Sequence, residues 1–294
     1  MRIRMVSVVG GDMSLLPHAL NHYTGLGVTD FHLVRQLDPA EDGSALAASE
    51  AVMAAAGLSF AQVVRSPWAE DLNPRLIRAQ MESHPDDWWL LADLDEFHVY
   101  DRPLQDVVDH CESGGFDYVK GAVLDRVTLD GSLPELDPVT SLWDQFPLAG
   151  PLTLRLLQAR PTQVTLARGS VRVDFGQHRA WTGTPAPWDE IYTQVDHFKW
   201  TASVRPRLER RIQAYASGEW PVMNTCIIDE SRRVLDHLLE HGERIDVGNP
   251  EFAFERCGKG GYRAWPQFAR MMQELYEPDD ARRRERWLLR HGLK

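Results

Sequence analysis

Apolar runs and amphipathic stretches alternate through residues 1–125. Met5 to Val9 is an extended apolar run that stops at Gly10-Gly11. A helix follows, with Ser14 as its cap, Pro17 in its first turn and Leu16, Ala19, Leu20 and Tyr23 as its apolar stripe. Gly25 and Gly27 end it. Phe31 to Val34 predicts a second strand, Ala45 to Ala56 a helix, and Phe60 to Val64 a third strand. Pro74 to Glu82 reads as a helix, Trp88 to Ala92 as a fourth strand, Leu104 to Cys111 as a helix and Tyr118 to Leu124 as a fifth strand. This rhythm implies an α/β fold with a doubly wound, mostly parallel sheet.

Beyond Asp125 the pattern loosens, and Gly, Pro and Trp become frequent from Gly131 to Trp188. Short strands are expected at Gln163 to Leu166 and at Val171 to Asp174. Helices are expected at Val204 to Ala216, Glu230 to Glu240, Trp265 to Tyr276 and Asp279 to His291. The reading is one catalytic domain over 1–225, with a helical C-terminal extension over 226–294 packed on it.

The chain has 294 residues, and 32 basic against 43 acidic side chains give a net charge of −11. That balance argues against nucleic acid or an anionic membrane as a general partner. Cys111, Cys226 and Cys257 are odd in number and widely spaced, which argues against a disulfide framework or structural zinc. A reduced cytoplasmic setting is the simplest expectation. Met1 to Val9 is too short and interrupted for a signal peptide and reads as the first strand. No run reaches the length of a transmembrane segment.

Chemistry concentrates at Trp88-Trp89-Leu90-Leu91-Ala92-Asp93-Leu94-Asp95-Glu96-Phe97. An interior strand that ends in three carboxylates is costly unless those groups have work to do. In open α/β sheets, ligands sit just beyond the carboxyl ends of strands. An extended chain puts Asp93 and Asp95 on one side, where they repel unless a cation intervenes. Oxygen ligands suit Mg²⁺ or Mn²⁺. The plainer alternative is an Asp-rich strand-to-loop turn.

Leu91 to Phe97 resembles the DxD-Glu-Phe signature of bacterial family 2-like glycosyltransferases, which are related to family 92. Other blocks resemble that family in the same order. They are Pro17 to Phe31, Asp125-Arg126-Val127-Thr128-Leu129-Asp130-Gly131, Gln145-Phe146-Pro147, Gly176-Gln177-His178 and Val195-Asp196-His197-Phe198-Lys199-Trp200. Where many relatives carry Lys-Asn-Glu after strand one, this chain has Gly10-Gly11-Asp12, and Asn21 replaces the first histidine of a usual pair. The last 80 or so residues carry no such resemblance.

The resemblance implies a GT-A-like fold and a metal-dependent, inverting transfer from a UDP- or GDP-sugar donor to a glycan or small-molecule acceptor. Asp93, Asp95 and His197 are the implied metal ligands. Val8, Gly10, Arg35, Asp93, Lys199 and Arg205 are the residues expected to meet the nucleotide. Arg207 is a further candidate for phosphate, whereas Arg210 reads as part of a solvated face. The general base for the acceptor is expected among Asp125, Asp144 and Glu190. Trp181 and Trp188 are candidates for acceptor stacking, against ordinary core anchoring. His178 reads equally as a substrate contact or a loop residue.

Other functions share parts of this pattern. A nucleotidyltransferase uses the same kind of sheet and metal, but Val9-Gly10-Gly11-Asp12 lacks the basic residue its phosphate loop needs. A haloacid-dehalogenase-type phosphatase carries Asp-x-Asp on its first strand, not its fourth. A non-catalytic nucleotide-sugar-binding protein has no need of the full acidic cluster with His197.

Overall fold

The computed structural model describes residues 2–221 and 225–292, so Met1 of the expected first strand lies outside the described residues. The first seven elements come in the expected order. They are β1 (Ile3–Val9), α1 (Leu16–Gly25), β2 (Asp30–Leu37), α2 (Gly43–Ala55), β3 (Gln62–Arg65), α3 (Leu72–Glu82) and β4 (Trp88–Leu91). Next come β5 (Glu96–Tyr100), α4 (Leu104–Gly114) and β6 (Tyr118–Val127). The middle holds α5 (Leu142–Gln145), β7 (Leu148–Gly150), α6 (Leu152–Arg155), β8 (Thr162–Arg168) and β9 (Thr193–His197). The C-terminal part holds α7 (Val204–Ala216), α8 (Cys226–Glu240), β10 (Glu255–Arg256) and α9 (Trp265–Arg290).

The sheet runs β3-β2-β1-β4-β8-β6-β7-β10. Its first four strands are parallel. β8 enters antiparallel between β4 and β6, and β7 and β10 extend that antiparallel side. β9 pairs parallel with β6 and antiparallel with β5. The fold is α/β, with helices on both faces of the parallel half.

β4 explains the uninterrupted apolar run, because all four of its residues are fully buried. Trp88 and Leu90 face the core under α1 and α4. Trp89 and Leu91 face the core under α3. A strand covered on both sides has no face on which polar residues belong. The C-terminal part is joined to the same body. Val234 and Leu238 of α8 share a core with Val204 and Leu208 of α7 and Val127 of β6. α9 lays Trp265, Phe268 and Met272 over Ala122 and Leu124 of β6.

Several elements differ from the sequence reading. α9 is one helix that continues through Pro278, not two. Val171 to Asp174 is no strand, and only Val173 makes an isolated bridge, to Ala180. Ser14 does not cap α1; its own N–H donates to Asp12 Oδ1 at 2.9 Å. β5 and β9 escaped the hydrophobic pattern because they bury Glu96, His98, Gln194 and Asp196.

Gly131, from the Asp-Arg-x-x-x-Asp-Gly block, ties β6 to the C-terminal part. Its φ is +72°, and its carbonyl accepts from the Ile245 N–H at 2.8 Å. A Cβ there would collide with the Ile245 carbonyl. Gly131→Ala is therefore expected to lower the unfolding free energy by about 1–3 kcal/mol. A urea melt checks this, and a variant as stable as wild type would mean that the junction yields freely.

Candidate active site

Strand order reverses beside β1, where one connection leads to β2 and the later one returns on the other side to β4. Crevices for ligands form at such switch points. A cavity of about 640 Å³ opens there, across the carboxyl ends of β1, β2, β4 and β9. Val8, Gly10 and Asp12 line it from the end of β1, and Asp38 and Glu41 line it beyond β2. Asp93, Leu94 and Asp95 come from the turn after β4, and Lys199 and Ser203 from the segment after β9.

The acidic turn is built around Glu96. Its Oε2 accepts the Asp93 N–H at 3.0 Å, and its Oε1 accepts from Gln163 Nε2 at 2.6 Å. Glu96 therefore closes the turn that presents the two aspartates. Asp93 Oδ1 accepts from Gln177 Nε2 at 3.2 Å. The Gly-Gln-His block thus serves the site through Gln177, while His178 Nδ1 lies 2.8 Å from the Thr162 carbonyl. Burial, with Glu96 and Asp95 close by, pushes the Asp93 carboxyl well above the ordinary range.

Asp95 behaves in the opposite way. Burial raises its pKa, but His197 first, then Arg207 and Lys199, outweigh that and hold it low. His197 Nε2 lies 3.4 Å from Asp95 Oδ2, and its Nδ1 lies 3.3 Å from Asp125 Oδ1. Burial disfavours the imidazolium, yet Asp95 and Asp125 together raise the His197 pKa to about 9. The Phe198 N–H donates to the Asp95 carbonyl at 2.8 Å, locking the end of β9 to the acidic turn.

The Pro17–Phe31 block supports this turn from behind. Tyr23 Oη donates to the Glu96 carbonyl at 2.6 Å, and His22 Nε2 lies 2.9 Å from the His98 carbonyl. Both side chains are buried against Phe97.

Cationic side chains face the acidic turn. Lys199, Arg207, Arg210 and Arg211 all line the cavity. Arg207 Nη1 is 3.8 Å from Asp95 Oδ2, and Lys199 Nζ is 3.8 Å from Asp125 Oδ1. Arg210 pairs with Glu219 and lies over the Trp220 ring at 5.6 Å. Trp220 and Trp68, with ring centroids 5.3 Å apart, form an aromatic wall of the same cavity. Arg210 thus lines the cavity while its side chain stays 41% exposed. The signal that marks it is its spacing of three from Arg207 on one helix.

Other sequence candidates stand elsewhere. Arg35 is fully buried beneath the cleft, donating to the Gln36 carbonyl at 2.6 Å and facing Glu41 at 3.5 Å. Arg205 points away from the cavity and pairs with Glu209 and Glu243. Asp125 is fully buried and accepts from Thr153 Oγ1 at 3.1 Å and Trp200 Nε1 at 3.0 Å. Asp144 is exposed on α5 and is not among the cavity residues. Glu190 is on the surface, 2.8 Å from His110 Nε2. The carboxylates that do face the cavity are Asp12, Asp38, Glu41, Asp93 and Asp95. Trp188 is buried under α9, and Trp181 stacks on Trp287 at 6.0 Å.

Among the described residues, no three His, Cys, Asp or Glu side chains are grouped to hold an ion. Asp95 faces His197 and Arg207, and both His197 ring nitrogens face carboxylates. The three-ligand set of Asp93, Asp95 and His197 expected for Mg²⁺ or Mn²⁺ is therefore not assembled in this arrangement.

No family model matches the chain, and no curated protein matches it. Solved structures with partial likeness include S. aureus TarS 1-349 in complex with UDP, at 11% identity and TM-score 0.35, covering 91% of this chain and 78% of that one. The complex of TarS 1-349 with UDP-GlcNAc aligns at 12% identity and TM-score 0.34, covering 58% of this chain. This chain spans 46% of that structure's length. A 4-diphosphocytidyl-2C-methyl-D-erythritol synthase aligns at 14% identity and TM-score 0.30, covering 58% of this chain and 76% of that one. At such scores these likenesses bear on neither the activity nor the ligand of this chain. Among the described residues, no helix is long and apolar enough to cross a membrane.

Proposed function

We propose that this chain is a GT-A-type glycosyltransferase that takes a sugar from a nucleotide-sugar donor. One observation carries the reading. Separate sequence blocks that resemble family 2-like glycosyltransferases converge on the single cleft at the switch point. Asp93 and Asp95 follow β4 and Lys199 follows β9, while Gly10-Gly11-Asp12, which departs from the family pattern, completes the lining after β1. Gln177 and Tyr23 hold the acidic turn from two further blocks. A cleft of about 640 Å³ suits a nucleotide sugar, because small-molecule sites run from roughly 300 to 1,000 Å³.

In the proposed reaction the bond between the anomeric carbon and the phosphate oxygen breaks, and the acceptor oxygen bonds to that carbon. Negative charge grows on the departing nucleoside diphosphate. Lys199 and Arg207 face that charge from fixed positions, which is how a preorganised site lowers a barrier. The acceptor proton passes to a carboxylate facing the cavity.

The test is a panel of UDP- and GDP-sugars with chromatography of the products. Release of UDP or GDP with a glycosylated acceptor, or slow donor hydrolysis without one, is expected. Consumption of a nucleoside triphosphate and a sugar 1-phosphate with release of pyrophosphate would instead mean nucleotidyl transfer.

A further inference from the structure

We infer that the diphosphate of the donor is held by Lys199, Arg207 and Arg211 and binds without a divalent ion. This rests on the nucleotide-sugar reading and deepens it. The chain carries a net charge of −11, yet four cationic side chains line this one cavity. Three of them are committed to it. Arg207 and Arg211 are four apart on α7, so they share a helix face. Lys199 comes from the turn just before that helix, and its side chain is only 13% exposed. Arg210 is the exception, because Glu219 already neutralises it.

The anions near the three are shared with other groups: Asp12 near Arg207 also accepts from Ser14, and Glu230 near Lys199 and Arg211 lies outside the cavity lining. Asp95 is the cavity carboxylate next to them, and it is shared with His197 and Arg207. Asp125 is below the cavity, where it is also shared between His197 and Lys199. Arg207 and Arg211 repel one another, and burial and then Arg207 push Arg211 down. A pyrophosphate group brings the charge that relieves this repulsion. Two guanidinium groups and an ammonium supply the charge-assisted hydrogen bonds that its oxygens take. The acidic turn offers no assembled three-ligand site to do that work instead.

Calorimetric titration of inorganic pyrophosphate, UDP and GDP, each in EDTA and in Mn²⁺, tests the inference. Wild-type protein is expected to bind pyrophosphate and at least one of the two nucleotides in EDTA, within about threefold of its affinity in Mn²⁺. Arg207→Gln and Arg211→Gln are each expected to weaken binding about tenfold or more, as the loss of a hydrogen bond to a charged group implies. Arg205→Gln, on the same helix but outside the cavity, should bind as wild type. The affinity should also fall as salt rises, less steeply in the two cavity variants. Binding that requires Mn²⁺, or cavity variants that bind as wild type, would overturn the inference and leave the transferase reading standing. No binding of UDP, GDP or pyrophosphate in any condition would remove both. Should a variant fail to fold, the wild-type titrations in EDTA and in Mn²⁺ still decide.

Discussion

Asp125→Ala is expected to lower the unfolding free energy by about 3–5 kcal/mol, the cost of removing one partner from a buried charge pair. Asp125 is completely buried on β6. It accepts from Thr153 and Trp200, and it faces His197 at 3.3 Å and Lys199 at 3.8 Å. Removing it leaves two cations without their buried partner and three donors, the Thr153 N–H, Thr153 Oγ1 and Trp200 Nε1, without an acceptor. Asp144→Ala and Glu190→Ala change surface groups and should stay within about 0.5 kcal/mol. Urea unfolding of the three variants separates these outcomes. An Asp125→Ala protein that is as stable as wild type but inactive would make Asp125 a participant in the chemistry, not a support for His197.

The ligand-free protein should lose roughly 3 kcal/mol of stability between pH 6.5 and pH 9 through His197. An unfolded histidine titrates near 6.5, whereas the folded His197 is raised to about 9. A group raised on folding stabilises fully below its unfolded pKa, and that contribution disappears as pH climbs through the folded value. The source is the position of the imidazolium between Asp95 and Asp125. Urea melts at pH 6, 7.5 and 9 check this in wild type and in His197→Gln. Taking the difference between the two proteins at each pH cancels the titrating groups remote from His197. A difference that stays constant or grows with pH would mean that His197 is neutral in the folded protein.

The parallel half of the sheet was legible in the sequence because β1 and β4 are largely apolar and run into Gly10 and Asp93, and β2 holds Phe31, Leu33 and Val34. The acidic turn was legible for the same reason, since carboxylates stand out at the end of an apolar strand. β5 and β9 were not, because several of their buried residues are polar and meet partners far along the chain. Glu96 meets Gln163, and Asp196 meets Trp143. Such pairs leave no periodic trace. Among the arginines of α7, proximity in sequence suggested Arg205 and Arg207, whereas the helix face keeps Arg207 and adds Arg210 and Arg211. Asp125, Asp144 and Glu190 were chosen by residue type, and residue type does not encode which side of the sheet a carboxylate meets. Pro278 misled for a different reason: the helix that contains it continues on both sides.

Amide hydrogen exchange with and without saturating UDP or GDP tests the central claim most directly. The account predicts new protection at 9–12, 93–96 and 199–211, the segments that meet at the ends of β1, β4 and β9. Protection confined to another site, such as the hollow of about 130 Å³ beside Lys120, Asp280 and Arg284, would contradict it, and so would no protection at all.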